Sequence, residues 1–181
     1  MIHVYIQKWN KEDAPWQRIL ADILKKDYQM EECPEILRDE MGKPYFKECP
    51  LHFNVSHSGE YLAIAVSAFP VGVDIQKPKN IKEGMFRKVV QPEETLFIGE
   101  QREADFLRLW TLKESFVKAG GGGLRIPFKD YYFEEENGKY VVNYGGQRMP
   151  WTFNIEETLI EGYFISVCAM EKDVRWIFNQ E

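Results

Sequence analysis

The spacing of apolar residues predicts four strands and one long helix in the first 76 residues. Residues 3–9 alternate between apolar and polar like a first strand, and 51–57, 61–68 and 71–76 are three further strand-like runs. Residues 14–27 carry apolar residues at helical spacing, and Pro15 suits the first turn of a helix. The run 33–46 predicts a short helix that ends at Gly42, followed by a loop that carries Lys43 and Pro44.

The pattern changes after residue 80. Residues 81–118 have mostly helical spacing, interrupted near Pro92, and strand-like runs follow at 131–136, 140–144, 151–157 and 163–170. Asn137 and Gly138 favour a hairpin turn, and the run Gly120 to Gly123 predicts a flexible loop. We therefore predict an α+β fold with two similar α/β halves, 1–78 and 79–181, each a small antiparallel sheet packed by helix.

Composition narrows the class of function. The 181 residues carry a net charge of −6, which argues against nucleic-acid binding. The chain has no apolar run long enough to span a bilayer, and its start lacks the layout of a signal peptide, so we expect a cytoplasmic protein without a membrane partner. Cys33, Cys49 and Cys168 lack the spacing of a disulfide framework or a zinc site, and each is expected to be a free buried thiol.

A lysine in the middle of an apolar helix face is the first sign of chemistry. Lys113 falls within an apolar arc, and Glu114 and Lys118 stand at its edge, one turn apart. Lys113 could extend to solvent, with Glu114 and Lys118 as an ordinary surface ion pair. Alternatively, the three charges face a groove that binds phosphate or metal. The arc is formed by Phe106, Leu109, Trp110, Phe116 and Val117.

The strand 71–76 offers the acidic partner that such a groove would need. Asp74 and Gln76 point to one face, opposite the apolar side chains, and present oxygen ligands about 7 Å apart. Gly72 on the same face is expected to leave room for a bulky group. Carboxylates on a strand and a helix, with lysines nearby, suit magnesium-assisted pyrophosphate chemistry, because Mg²⁺ takes few carboxylates and completes its shell with water and phosphates. Otherwise, Asp74 and Gln76 are ordinary exposed residues. The apolar set that should enter the core is Val71, Val73 and Ile75.

Two further stretches carry candidate phosphate ligands. Ser56 and His57 end a strand, where a hydroxyl and an imidazole can bond to phosphate oxygens. A hydrolase pair is disfavoured, since neighbours on a strand face opposite ways and no G-x-S-x-G elbow is present. His57 could instead be a structural histidine. Lys43 in "MGKPYF" offers a loop lysine, and the chain contains neither a P-loop nor a dinucleotide fingerprint.

The motifs "GKP" at 42–44, "FNVSHSG" at 53–59, "GVDIQ" at 72–76 and "WTLKESFVK" at 110–118 together resemble the 4′-phosphopantetheinyl transferases. The similarity is to the pseudodimeric type that activates peptide synthetases, and it runs from about residue 11 to residue 170. It implies an intramolecular pseudodimer with coenzyme A and Mg²⁺ in the cleft between the halves. The implied reaction passes the phosphopantetheine arm to a serine of an acyl or peptidyl carrier protein and releases 3′,5′-ADP. It also implies a monomer.

The resemblance assigns roles by position. Asp74 and Glu114 would ligate Mg²⁺, and Lys118 and Lys113 would act on the phosphates while Trp110 shapes the site. Ser56 and His57 would contact coenzyme A phosphates, and Lys43 with Pro44 would border the adenine. Glu94 matches an acidic residue that either ligates the metal or helps to deprotonate the serine.

Two positions depart from the family pattern. Gln76 stands where the family has a second strand carboxylate, so the number of metal ligands contributed by the protein changes. The basic run that often precedes "KEDA" is missing, and Arg18 is the candidate substitute for the 3′-phosphate contact.

Two other classes of function fit the same residues. Gln76 could mark a non-catalytic module that binds coenzyme A or a carrier protein, and the paired carboxylates could serve a different Mg²⁺-dependent phosphotransferase. If the partner is an acidic carrier protein, a basic patch is needed to overcome the net negative charge. Its candidates are Arg87, Lys88, Lys113, Lys118 and Arg125.

Overall fold

A stack of two sheets and one long central helix organises the chain, whose computed structural model describes residues 1–12, 14–120 and 126–179. The helices are α1 (Trp16–Tyr28), α2 (Glu83–Val89) and α3 (Arg102–Ala119), with 3₁₀ turns at Pro92–Phe97 and Phe128–Asp130. The strands are β1 (Ile2–Lys8), β2 (Ile36–Arg38), β3 (Pro44–Phe46), β4 (His52–Ser58), β5 (Tyr61–Ser67), β6 (Val71–Gln76), β7 (Tyr131–Glu136), β8 (Lys139–Tyr144), β9 (Gln147–Arg148), β10 (Thr152–Glu156), β11 (Phe164–Ala169) and β12 (Val174–Asn179).

The first sheet has the strand order β12-β1-β5-β4 and is covered on both faces. On one face, α1 buries Leu20, Ile23 and Leu24, which recur at helical spacing as the sequence predicts. On the other face, β1 and β5 pack against β6 and β11 of the second sheet, through a core that includes Val73 and Ile75. The predicted inward orientation of the apolar residues of β6 is confirmed.

The second sheet, β10-β11-β6, lies between the first sheet and α3. The far side of α3 is covered by the third sheet, β7-β8-β9, where Phe116 packs among Tyr131, Phe133 and neighbouring apolar residues. Helix α3 is therefore enclosed by sheets on two sides. A helix so enclosed is apolar around much of its surface, with Leu107 and Leu112 also buried.

Most predicted elements are confirmed, including the β7–β8 hairpin, in which Asn137 and Gly138 both have positive φ. The helix predicted over 33–42 is wrong, because this stretch forms a β2–β3 hairpin. Asp39 accepts the backbone N–H groups of Met41 and Lys43 at 2.9 Å, and Gly42 takes φ of +82°.

The strands β9 and β12 were not predicted. Strand β12 runs parallel to β1 in the first sheet, and β6 pairs with β11, so strand pairing crosses the predicted boundary at residue 78 in both directions. The α+β class is confirmed, whereas the pseudodimer and the two halves stay predictions.

Three remaining sequence expectations concern loops, thiols and membranes. The predicted flexible loop and Arg125 lie outside the described residues, apart from Gly120, which follows α3. Cys33, Cys49 and Cys168 are free, but only Cys168 is buried, so the expectation of burial is wrong for the other two. Among the helices in the described ranges, none combines the length and the apolar character needed to cross a bilayer.

Candidate active site

Polar side chains of β4 fix the position of β6. The backbone N–H groups of Val73, Ile75 and Lys77 donate to the side-chain oxygens of alternate β4 residues, at 2.9, 3.4 and 2.9 Å. Side-chain oxygens of β4 thus accept the backbone N–H groups on this edge of β6, which would otherwise need a neighbouring strand as their partner. They hold β6 in register with β4 and place Asp74 beside Ser56. The accepting residues are Asn54, Ser56 and Ser58.

Asp74 is 2% exposed, and both of its carboxylate oxygens accept hydrogen bonds. Oδ1 accepts from Ser56 Oγ at 2.8 Å and from Lys118 Nζ at 2.6 Å, and Oδ2 accepts from Gln76 Nε2 at 3.0 Å. Lys118 also donates to Ser56 Oγ at 3.0 Å and to the carbonyl oxygen of Val73 at 3.2 Å. The predicted phosphate ligand Ser56 therefore contacts Asp74 and Lys118 in this arrangement.

Gly72 brings α3 close enough to β6 for these contacts. A Cβ atom at this position would lie 2.1 Å from the carbonyl oxygen of Ser115 and 2.4 Å from the amide nitrogen of Ala119. The space was predicted to receive a bulky group beside Asp74, and that prediction is wrong. The backbone of α3 fills it, and this close approach lets Lys118 reach Asp74.

Glu114 lies one turn before Lys118 on α3, and the negative charge of Asp74 shifts the pKa of its carboxyl group. Burial raises the pKa of Glu114, and the charge of Asp74 raises it further, whereas the charges of Lys118 and Lys79 lower it. Glu114 therefore lies within electrostatic range of Asp74, Lys118 and Lys79. No described lysine or arginine forms a salt bridge with Glu114.

Lys79 is a site residue that sequence reasoning missed. Its Nζ lies 3.4 Å from Gln76 Oε1 and 5.3 Å from the centre of the Trp110 ring. The signal was available, because Lys79 follows the last residue of β6 by three positions and so lies just beyond the end of the strand that carries Asp74.

The available oxygen atoms fit Mg²⁺. Asp74 and Glu114 supply carboxylates and Gln76 can supply an amide oxygen, which are the hard ligands that Mg²⁺ prefers. In the described part of the chain, no three His, Cys, Asp or Glu residues group to hold a metal. A metal bound here would either share the Asp74 carboxylate with Lys118 or displace the Lys118 ammonium group from that carboxylate.

Lys113 on α3 and Glu94 in the 3₁₀ turn Pro92–Phe97 lie together, apart from the Asp74 contacts. Lys113 Nζ is 2.8 Å from Glu94 Oε2, both side chains have 0% exposure, and the contact lacks the angular geometry of a hydrogen bond. Glu94 also accepts the N–H groups of Gln91 at 2.8 Å and Phe133 at 2.9 Å. Burial lowers the pKa of Lys113 and raises that of Glu94, and their mutual attraction opposes both shifts.

The expectation that Lys113 faces an open groove is therefore wrong. Aromatic residues cover it, with the Tyr131 ring centre 4.9 Å and the Phe128 ring centre 5.7 Å from Nζ. Because Lys113 has no exposed surface, it also cannot belong to a surface patch for a carrier protein. Lys118 remains half-buried, and Arg87 and Lys88 are exposed on α2.

The other predicted ligands lie outside the Asp74 cluster. Lys43 Nζ donates to the carbonyl oxygen of Lys118, at the end of α3, and Pro44 begins β3. His57 is exposed and its ring centre lies 5.1 Å from that of Trp9, since it points away from Ser56 on β4. Arg18 is exposed on the first turn of α1.

Comparison with known proteins places the chain in a family. The model of the 4′-phosphopantetheinyl transferase superfamily matches residues 70–168. The 4′-phosphopantetheinyl transferase ffp of Bacillus subtilis is 31% identical over 177 residues, covering 91% of this chain and 78% of its own. Sfp of B. subtilis strain 168 is 30% identical over the same shares, and gsp of Aneurinibacillus migulanus is 29% identical over 94% and 75%.

The chain belongs to the 4′-phosphopantetheinyl transferase superfamily, as its motifs predicted. The predicted enzyme class is thereby confirmed. The holo-[acyl-carrier-protein] synthase of Thermotoga maritima, a solved structure, aligns with 58% of this chain and 64% of its own at 24% identity and a TM-score of 0.48.

Proposed function

We propose that this transferase uses Mg²⁺ and coenzyme A to attach a 4′-phosphopantetheine arm to a serine of an apo acyl or peptidyl carrier protein. The observation that carries the proposal is the contact of Asp74 on β6 with Lys118 on α3 at 2.6 Å, with Glu114 one turn earlier on the same helix. A pyrophosphate needs positive charge beside it as its bond breaks, which Lys118 and a bound Mg²⁺ would supply.

Asp74 and Glu114 would hold the metal, with Gln76 Oε1 as a third protein oxygen. When bound, Mg²⁺ neutralises charge on the pyrophosphate. Lys118 and Lys79 stabilise the negative charge that grows on the departing phosphate. The amide of Gln76 must turn, because its Nε2 and not its oxygen now faces Asp74.

In the transfer, the serine oxygen bonds to the phosphorus that carries the pantetheine arm. The bond from this phosphorus to the bridging oxygen breaks, and 3′,5′-ADP leaves with the electron pair. Glu114 is the candidate acceptor of the serine proton, through the carboxylate oxygen that the metal would leave free.

Glu94 is assigned a different role from those that the family suggests. It was expected to ligate the metal or to help deprotonate the serine, but it has 0% exposure and both of its oxygens accept backbone N–H groups. These contacts support a positioning role, in which Glu94 compensates the charge of Lys113 and fixes α3 against β7.

The test is the mass of a carrier domain incubated with coenzyme A and the protein. We expect an increase by one phosphopantetheine that requires Mg²⁺ and is lost in Asp74→Ala. Binding of coenzyme A or of the carrier without a mass increase would favour the non-catalytic module suggested by Gln76. If neither binds, a different phosphotransferase activity must be sought.

A further inference from the structure

The outer edge of the first sheet is open at β12. Strand β12 pairs with β1 on one side, and the strand order β12-β1-β5-β4 gives it no described strand on the other side. The backbone N–H of Ile2 donates to the carbonyl oxygen of Asp173, so the odd-numbered residues of β12 direct their backbone groups to β1. The backbone groups of the even-numbered residues therefore point outward. These residues are Val174, Trp176 and Phe178.

This edge lacks the features that keep strands of different molecules apart. The segment Val174–Asn179 contains no proline, no glycine and a single charge, at Arg175, so a second strand can pair with it along its whole length. Its side chains divide between two faces. Trp176 and Phe178 pack on the core between the first and second sheets, whereas Ile177 packs on the α1 side. Arg175 is exposed on that same α1 side.

A cavity of about 240 Å³ lies on the α1 side next to this edge. Ile177 and Asn179 of β12 line one wall, and residues of α1 line the other. The lining carries two carboxylates and one ammonium group, which gives it a net charge of −1. These charges belong to Asp22, Asp27 and Lys26.

Tyr5 presents a buried hydroxyl group to this cavity. Its side chain lines the cavity and is 3% exposed. Burial and the nearby Asp27 carboxylate raise the pKa of Tyr5, but the hydroxyl makes no hydrogen bond of normal geometry within the described residues. Because a buried hydroxyl without a partner costs free energy, the cavity fits a cation that can also donate a hydrogen bond.

A second copy of this chain supplies such a cation when two β12 strands pair antiparallel. Pairing Trp176 with Trp176 of the second copy places Val174 opposite Phe178 in both directions, so outward backbone groups meet and each pair forms two hydrogen bonds. The same register places Arg175 opposite Ile177 of the other copy. Since residues directly opposite share a face of the sheet, the Arg175 side chain then lies beside the cavity of the other copy.

The charge of Arg175 favours this register over its neighbours. A slip by two residues in one direction sets Arg175 opposite Arg175 of the second copy, and like charges directly opposite each other destabilise a sheet. A slip by two residues in the other direction leaves Val174 without a partner inside β12. The symmetric register therefore combines the most backbone bonds with the best placement of charge.

We propose that two copies of this chain associate through β12, with Arg175 of each copy bound in the Asp22–Asp27 cavity of the other. The guanidinium group donates to the Tyr5 hydroxyl and balances the charge of the lining. This association departs from the monomer that the family resemblance implies. It leaves the Asp74 cluster open, because β12 lies three strands away from β4, which carries Ser56, or about 14 Å across the sheet.

Light scattering after size-exclusion chromatography tests the association over about a hundredfold range of protein concentration. The wild type should approach twice the monomer mass of 21.4 kDa as the concentration rises. A monomer mass across the whole range would overturn the proposal.

Arg175→Glu tests the cavity, because it brings a carboxylate to Asp22 and Asp27. The dissociation constant of the dimer should rise at least about thirtyfold, while the rate of holo-carrier formation stays unchanged. The double variant Arg175→Glu/Asp27→Arg restores opposite charges and should recover the dimer. Lys25→Glu, the same charge change at an exposed residue of α1 outside the lining, is the matched control and should leave the dimer intact.

Two results with these variants would contradict the proposal. One is an unchanged dissociation constant in Arg175→Glu, and the other is a double variant that stays monomeric. Thermal unfolding verifies the fold of each variant. If Arg175→Glu does not fold, hydrogen exchange of the wild type decides, because the amides of Val174, Trp176 and Phe178 should gain protection as the concentration rises. No gain in protection would overturn the proposal.

Discussion

Helix α3 carries two lysines, five residues apart, and each meets a carboxylate from another element. Lys118 bonds to Asp74 at 2.6 Å with 27% of its side chain exposed, while Lys113 meets Glu94 at 2.8 Å with no exposure at all. The two pairs have the same chemistry and opposite surroundings. Because Lys118 can reach solvent, its pairing with Asp74 can be exchanged for a phosphate or metal. Lys113 has no such alternative.

This difference in exposure separates a pair that can take part in the reaction, Asp74 with Lys118, from a pair that stabilises the fold, Glu94 with Lys113. A charge enclosed by aromatic rings cannot exchange partners without first leaving the core, and Glu94 is further held by two backbone donors. Among the described residues, the donors to the Asp74 carboxylate are the side chains of Ser56, Lys118 and Gln76, and side chains rotate easily. Substitutions at Asp74 should therefore mainly lower turnover, whereas substitutions in the Lys113–Glu94 pair should mainly lower the free energy of unfolding.

The largest expected effect is on turnover. Asp74→Ala or Glu114→Ala should lower kcat at least about a thousandfold, since each carboxylate supplies a unit charge against the metal and the loss is worth several kcal/mol. Holo-carrier formation against Mg²⁺ concentration measures it. The free energy of unfolding should change little by comparison. Near-normal turnover in Asp74→Ala would show that the metal site is assigned wrongly.

The next effect is on stability and belongs to the enclosed pair. Lys113→Met leaves Glu94 as an uncompensated buried charge, so the free energy of unfolding should fall by about 3–5 kcal/mol. The double variant Lys113→Met/Glu94→Gln removes both charges and should recover most of the loss. Denaturant titration measures both.

The matched control for that pair is Lys118→Met, which should lower the free energy of unfolding less than Lys113→Met, because Asp74 keeps its hydrogen bonds from Ser56 and Gln76. Additive losses in the double variant would contradict the structural role of the pair. Recovery of stability without recovery of turnover would show that Lys113 or Glu94 also takes part in the chemistry.

A smaller effect is expected at Gln76. Gln76→Ala should lower turnover by about tenfold or less, because an amide oxygen supplies only a dipole and Mg²⁺ readily replaces it with water. Gln76→Glu should tighten Mg²⁺ binding measured by calorimetry with 3′,5′-ADP present. If Gln76→Glu leaves Mg²⁺ affinity unchanged, residue 76 does not face the metal.

The smallest effect is on a single proton equilibrium. Asp74→Asn should lower the pKa of Glu114 toward its usual value, because the repulsion by Asp74 is removed while the effect of burial stays. In the wild type, Mg²⁺ affinity should fall as the pH drops through this raised pKa, since protons and the metal compete for the same carboxylate. NMR titration without metal measures the shift, and Glu93→Gln, at an exposed carboxylate, is the control that should leave it unchanged.

Local sequence determined much of the fold and the candidate chemistry. Alternation over 71–76 predicted that Val73 faces the core and Asp74 faces the other way, and both hold in the structure. Asn137–Gly138 specified its hairpin, because only residues that tolerate positive φ suit that turn. The motifs on β6 and α3 identified the family before any comparison of whole chains.

Where local signals conflict, the sequence was insufficient. Residues 36–38 carry good helix formers, yet they pair with β3, since the side chain of Asp39 and the left-handed backbone of Gly42 turn the chain back. Strand β12 forms its backbone hydrogen bonds with β1, which lies at the opposite end of the chain. A pattern read over ten residues contains no information about such a partner.

The sequence by itself determined which residues are charged and which helix face they occupy, because both depend on spacing of a few residues. Only the tertiary structure decided that Lys113 is enclosed with Glu94 while Lys118 stays beside Asp74. The reason is that burial and charge pairing depend on which layer covers each side of α3. The close approach at Gly72 supplies β6 on one side, and β7 with its aromatic residues covers the other.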